Sequence, residues 1–177
     1  MERVQSHLAS SDSVLEVGCG TGSTAILLAQ FVSTYHATDI STEMIQIAEE
    51  KMEANSLAGL EFSVSDANLE RFEAERYDAV LAFNLYHLVP DLDGALIRAR
   101  ELVKSGGLFI TKTPCLSRKW YVKPVLKVMQ AVGKAPFVRF LSVDGYDAAI
   151  RNAGFDIIET GLYPPSAPSR FVVARKL

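Results

Sequence analysis

The chain has 177 residues, 49% of them apolar and 22% charged, with a formal net charge of −3; this fits one globular domain with a substantial core and argues against non-specific nucleic-acid binding. Two cysteines, Cys19 and Cys115, are too few for a disulfide framework and stand in no metal-ligand spacing, so no metal site is expected and a reducing cytoplasm is the default setting. No apolar run approaches the roughly 18 residues needed to span a bilayer, and the polar start, Met1 to Asp12, carries no apolar signal core.

Strand and helix signals alternate along the chain. Ser13–Val17 reads as a short apolar strand and Ser23–Gln30 as a helix, with Gly18, Gly20 and Gly22 between them. Ser33–Thr38 reads as a second strand that ends at Asp39. Ser41 and Thr42 offer N-caps for a helix over Glu43–Asn55, where Met44, Ile45, Ala48 and Met52 recur at helical spacing. Leu60–Val64 is a third strand, ending near Asp66, and Tyr77–Phe83 a fourth. The fourth is nearly all apolar, as a strand covered on both faces should be. Asp91–Val103 reads as a helix that opens on acids and closes on Lys104 before Gly106 and Gly107. Leu108–Thr113 is a fifth strand, and Asp144–Asn152 a helix ended by Gly154. Phe155–Gly161 and Arg170–Ala174 follow with no helix between them, so they should pair antiparallel. Repeated strand–helix units imply an α/β fold with a parallel sheet and helices on both faces. The whole chain, 1–177, reads as a single domain.

Ligands in such sheets bind at the carboxyl ends of the strands. Gly18–Gly22, Asp39, Asp66 and Asn84 all fall at such ends. A strand that stops at a glycine turn and restarts as a helix is expected to leave backbone N–H groups pointing at one spot, which favours a negatively charged ligand group. Several ligands use such a turn. A phosphate-binding P-loop needs a Gly-Lys-Ser/Thr ending, which is absent. A dinucleotide fingerprint would place its third glycine where Ser23 stands, so that match is poor.

The stretch Val14-Leu15-Glu16-Val17-Gly18-Cys19-Gly20-Thr21-Gly22 resembles the motif of the class I S-adenosylmethionine-dependent methyltransferases, and within them the small-molecule branch. The resemblance runs from about Val14 to the C-terminus. It implies a Rossmann-like, doubly wound, seven-stranded sheet, mostly parallel with an antiparallel last strand. It implies S-adenosylmethionine as methyl donor, S-adenosylhomocysteine as product, and a cofactor site built from Glu16, Gly18, Cys19, Gly20, Thr21, Gly22, Asp39, Ile40, Met44, Asp66, Ala67 and Asn84. In that site Glu16 lies near the methionine end and Asp39 accepts from the ribose diol. Asp66 accepts from the adenine amino group, with the Ala67 backbone N–H beside it, and Ile40 and Met44 pack on the adenine face. Asn84 lines the pocket. Cys19 is a small packed residue, since nothing basic stands beside it to activate a thiolate.

Asn84, Tyr86 and His87 follow the fourth strand, and the resemblance places this loop beside the reacting methyl. His87 is the candidate general base for a hydroxyl acceptor, because imidazole titrates near neutral pH. The alternative is a histidine that orients the loop. A lid is expected from an insertion at about 114–142, because only a dozen residues precede Ser13. Arg118, Lys119, Lys123, Lys127, Lys134 and Arg139 occur there with no acid between them, beside Trp120, Tyr121, Phe137 and Phe140. Such a basic, amphipathic segment suggests peripheral membrane contact through 118–134, an anionic acceptor, or a lid with solvated lysines. The function expected is methyl transfer to a small, apolar or lipid-like acceptor, with no specific nucleic-acid partner. A binding module without activity, and an RNA or protein methyltransferase docking through the insertion, are the competing readings.

Overall fold

The computed structural model describes residues 1–55, 57, 59–117, 121, 137–163 and 169–177. Its elements are α1 (Glu2–Gln5), β1 (Ser13–Val17), α2 (Ser23–Leu28), β2 (Thr34–Asp39), α3 (Thr42–Asn55), β3 (Leu60–Val64), β4 (Tyr77–Phe83), α4 (Leu92–Leu102), β5 (Val103–Pro114), α5 (Val143–Asn152), β6 (Phe155–Tyr163) and β7 (Ser169–Lys176). The strands form one seven-stranded sheet in the order β3-β2-β1-β4-β5-β7-β6. Pairings from β3 to β5 are parallel, and β7 runs antiparallel to both β5 and β6. This is the doubly wound sheet with an antiparallel strand that the chain order implies.

Alternation along the strands builds a core on each face. On one side Leu15, Val80, Phe109 and Val172 pack against Leu96 of α4 and Ile150 of α5. On the other Val14, Leu81, Ile110 and Val173 meet Ala25 and Leu28 of α2 and Ile45 and Ala48 of α3. Each large aliphatic side chain so buried contributes about 1.5–3 kcal/mol. Capping fixes where the helices begin. Asp91 accepts from the Gly94 N–H at 3.0 Å and Ser142 from the Gly145 N–H at 3.0 Å.

Several boundaries differ from the sequence reading, each for a local reason. The helix expected over Ser23–Gln30 ends at Leu28 and tightens into a 3₁₀ turn at Ala29–Phe31. Strand β5 begins at Val103 rather than Leu108, with a register break between Tyr77 and Ala79 on β4 that takes in the left-handed Gly106. The last two strands extend to Tyr163 and Lys176 because antiparallel backbone pairing continues past the apolar stretch, from Phe155↔Lys176 to Tyr163↔Ser169. Helix α1 was not expected, since four residues show no periodicity.

The segment expected as a lid is described at its ends and at Tyr121, which is exposed. Ser117 donates its N–H to the Leu141 carbonyl at 3.0 Å, which closes the base of the insertion. Arg118, Lys119, Lys123, Lys127 and Lys134 lie outside the described residues. Arg139, described, is committed elsewhere: its N–H donates to the His87 carbonyl at 2.7 Å and its guanidinium to the Pro90 carbonyl. It therefore clamps the loop after β4 rather than extending a free basic face.

Candidate functional site

The glycine turn lies where β1 ends, in the middle of the sheet. Gly18, Gly20 and Gly22 have φ of +73°, +55° and +70°, a region in which residues with a Cβ are strained. The expectation that this turn leaves its N–H groups pointing at a ligand needs correction. Gly18 and Cys19 both donate to the Thr38 carbonyl, at 2.8 and 2.9 Å. Gly20 donates to Asp39 Oδ2 at 2.8 Å, and Gly22 to the Cys19 carbonyl at 3.1 Å. A turn packed against β2 must satisfy its donors somewhere, and the end of β2 is the nearest acceptor. The turn is thus strapped to the neighbouring strand, and its shape depends on Thr38 and Asp39.

A cleft of about 750 Å³ opens over this turn and the carboxyl ends of β1 to β4. Glu16, Gly18, Cys19, Gly20, Asp39, Ile40, Asp66, Ala67 and Asn84 line it, so the sheet brings these residues together. Thr21, Gly22 and Met44 do not line it. Thr21 accepts from Lys51 Nζ through both its carbonyl (3.0 Å) and its hydroxyl (2.8 Å). Gly22 is a packing position, because a Cβ there would come within 2.7 Å of the Phe62 ring and 2.8 Å of Ala48. At Gly20 an added Cβ would meet nothing within 4 Å, so its open side faces the cleft. The cleft also includes Thr24 in the first turn of α2, Ser65 and Asn68 after β3, and Leu88 to Asp91 before α4. Sequence reading passed over these; the only signal for them was their position beside the motifs.

Three carboxyl groups differ in what surrounds them. Asp39 is half-buried and uses one oxygen for Gly20 and the other for the Ser41 N–H at 3.0 Å. Each carboxylate oxygen keeps a further lone pair for a ligand hydroxyl. Asp66 is exposed and folds onto Asn68, accepting from its backbone N–H at 3.1 Å and its side-chain amide at 3.2 Å. Glu16 is 1% exposed. The Tyr35 hydroxyl donates to its Oε2 at 2.8 Å, and no cation pairs with it among the described residues. Burial pushes its carboxyl up to about 7; the Tyr35 hydrogen bond opposes the shift and the nearby Asp39 charge adds to it. Burial also raises the Cys19 thiol to about 12, with Glu16 and Asp39 adding to the rise, so it is no nucleophile.

Glu16 carries a consequence for stability. Between its unfolded value near 4.5 and about 7 the native state holds a proton that the unfolded state has lost. Stability should therefore fall as pH rises through that window, by about 3 kcal/mol at most. Chemical denaturation at pH 5 and pH 7.5 should show a smaller difference for Glu16→Gln than for the native chain. An identical pH dependence in the two would remove this assignment.

The loop after β4 begins with Asn84 in the left-handed region, φ +57°, its N–H donating to the Lys112 carbonyl at 2.7 Å. His87 sits in a 3₁₀ turn, Tyr86–Leu88, and lines neither this cleft nor its neighbour. Its Nδ1 is buried without a partner among the described residues, and burial lowers its pKa. Tyr86 is a core residue, fully buried beside Phe109 and Tyr146.

A second cleft of about 660 Å³ adjoins the first and shares Thr24, Phe83 and Asn84 with it. Its other walls are Met1–Val4, Lys112, Tyr163 and Phe171. The N-terminal segment thus covers this part of the molecule. Arg3 of α1 ties it down by pairing with Glu159 of β6 and donating to the Tyr163 hydroxyl at 2.6 Å. His7 Nε2 lies 3.0 Å from the other Glu159 oxygen.

Comparison with known proteins agrees with this architecture. A family model described as "Methyltransferase domain" matches residues 8–142. A highly reducing polyketide synthase of Fusarium sp is 28% identical over 92% of this chain, which covers 7% of that protein. A fatty-acid O-methyltransferase of Mycolicibacterium smegmatis is 35% identical over 55% of this chain and 35% of its own length. The chain therefore spans only a small part of these relatives. A crystal structure of a SAM-dependent methyltransferase from Methanosarcina mazei superimposes with a TM-score of 0.84 at 16% identity, covering 100% of this chain and 98% of that one.

Proposed function

The chain belongs to the methyltransferase domain family, and from that premise we propose that it transfers the methyl group of S-adenosylmethionine to a small acceptor with an apolar, acyl-type body. The observation that carries this reading is the pair of clefts meeting at Thr24, Phe83 and Asn84: one bears the carboxylates of Glu16, Asp39 and Asp66, the other is walled by Phe83, Tyr163 and Phe171. The first suits the cofactor. Asp39 offers its remaining lone pairs to the ribose diol and Asp66 its carboxylate to the adenine amino group. Ile40, 74% exposed at the rim, packs on the adenine face; Met44, off the lining, is placed only to support it. The buried, cation-free carboxyl of Glu16 answers the ammonium of the methionine end, and Gly20 leaves room for the ligand to approach the backbone.

When bound, S-adenosylmethionine would supply a methyl on a sulfonium, whose departure as S-adenosylhomocysteine makes in-line displacement by an acceptor lone pair favourable. What the chain contributes is position. Thr24, Phe83 and Asn84, which line both clefts, would hold the two ligands against each other, and alignment of acceptor and methyl can lower the barrier by roughly 7–11 kcal/mol. An ionised acceptor needs no base, which suits a site whose one nearby imidazole, His87, faces neither cleft. His87 is left with holding the loop, through its carbonyl's bond to Arg139.

The acyl character of the acceptor rests on the aromatic walls of the second cleft and on the names of the two relatives, a polyketide synthase and a fatty-acid O-methyltransferase. Incubation with methyl-labelled S-adenosylmethionine and a panel of medium-chain acids, their alcohols and simple phenols tests it. Label is expected in the methyl esters formed from the acids; a chain that binds the cofactor yet labels none of the acids overturns the acceptor reading.

A further inference from the structure

We infer that the second cleft is built to hold an acceptor carrying an anionic group, and that the Lys112 ammonium is its counter-ion. This inference rests on the acceptor reading above and narrows it to a small acid with an apolar body. Lys112 lies near the carboxyl end of β5, register-paired with Phe83 on β4 and Phe171 on β7, and all three line the cleft. The side chain is partly buried, and no group accepts from its ammonium among the described residues.

The other charged groups of this cleft, the Met1 α-amino group, Glu2 and Arg3, stand on its N-terminal wall. Arg3 pairs with Glu159, donates to the Tyr163 hydroxyl, and lies 5.9 Å from the Tyr163 ring centre and 6.0 Å from that of Phe171. It is structural, closing α1 over the sheet. Glu2 is exposed on α1 and makes no bond to Lys112. Among the described residues the Lys112 ammonium therefore stands without an acceptor, on a strand wall that it shares with Phe83, Tyr163 and Phe171. A partly buried ammonium that no protein group accepts from keeps its donors for an incoming anion, and a hydrogen bond between two charged groups is stronger than one between neutral groups. The aromatic pair Tyr163–Phe171, edge-to-face at 6.3 Å, offers apolar area beside it. A carboxylate with a hydrocarbon tail satisfies both parts, and the shared residues Phe83 and Asn84 place it next to the cofactor cleft.

Octanoate, with octanol as its neutral isostere, is the probe. Calorimetry is run on the full chain with S-adenosylhomocysteine bound. The native chain should bind octanoate at least tenfold more tightly than octanol. Lys112→Met should weaken octanoate at least tenfold and leave octanol and S-adenosylhomocysteine unchanged, and Lys112→Arg should restore most of the loss. Equal affinity for acid and alcohol, or an octanoate affinity indifferent to Lys112→Met, overturns the inference. So does a chain that binds S-adenosylhomocysteine normally and no octanoate. Failure to bind S-adenosylhomocysteine at all would instead count against the cofactor reading, so the two failures are told apart.

Discussion

Asp39→Ala is expected to weaken S-adenosylhomocysteine binding at least tenfold. Two losses combine in this one substitution. Hydrogen bonds from a ligand to a charged acceptor are worth about 1.5–3 kcal/mol, and 1.4 kcal/mol already corresponds to tenfold. The same carboxylate also holds the Gly20 N–H at 2.8 Å and the Ser41 N–H at 3.0 Å, so its removal releases the glycine turn from β2 at one of its ties. Asp39→Asn separates the two effects. Its amide oxygen can keep one backbone donor, while its NH₂ cannot accept from a ribose hydroxyl. Its affinity should fall nearly as far as that of Asp39→Ala, with a smaller loss of thermal stability. Native affinity in both variants would remove Asp39 from the cofactor site.

The second large effect is on stability rather than binding. Gly22→Ala places a Cβ 2.7 Å from the Phe62 ring and 2.8 Å from Ala48, at a residue with φ +70°. Both contacts lie in the packed interface of the turn with β3 and α3, where Phe62 and Ala48 are buried core residues. Left-handed backbone costs a residue with a side chain about 1–2 kcal/mol, and overpacking adds about 1–3 kcal/mol. Denaturant unfolding should show a loss of roughly 2–5 kcal/mol. Gly20→Ala should lose only the backbone part, because its Cβ meets nothing within 4 Å; its larger effect should fall on cofactor affinity. Equal stability losses in the two variants would contradict this division between a packing glycine and a ligand-facing one.

That division was not legible in the sequence, where the three glycines look alike. Alternate spacing announces a turn, but which N–H meets which acceptor depends on β2, whose Thr38 carbonyl and Asp39 carboxylate arrive through sheet pairing. The alternating strands and helices, by contrast, were readable, because a sheet buried on both faces imposes near-continuous apolar runs such as Tyr77–Phe83. Asp39 and Asp66 were legible as candidates because each stands at the carboxyl end of an expected strand, and both line the cleft. The second cleft was hidden: Arg3, Lys112, Tyr163 and Phe171 belong to four elements spread from the first helix to the last strand, and no local pattern links them. His87 shows the converse. Its residue type and its place after β4 suggest a base, yet the 3₁₀ turn at Tyr86–Leu88 leaves it off both clefts, beside the Arg139 clamp.

The wild-type arm of the Asp39 titration bears most directly on the whole account. Calorimetric titration of S-adenosylhomocysteine and S-adenosylmethionine into the native chain should give one site per chain, saturating well below millimolar concentration. A chain that remains folded and binds neither at millimolar concentration would contradict the assignment of the cleft over the Gly18–Gly22 turn.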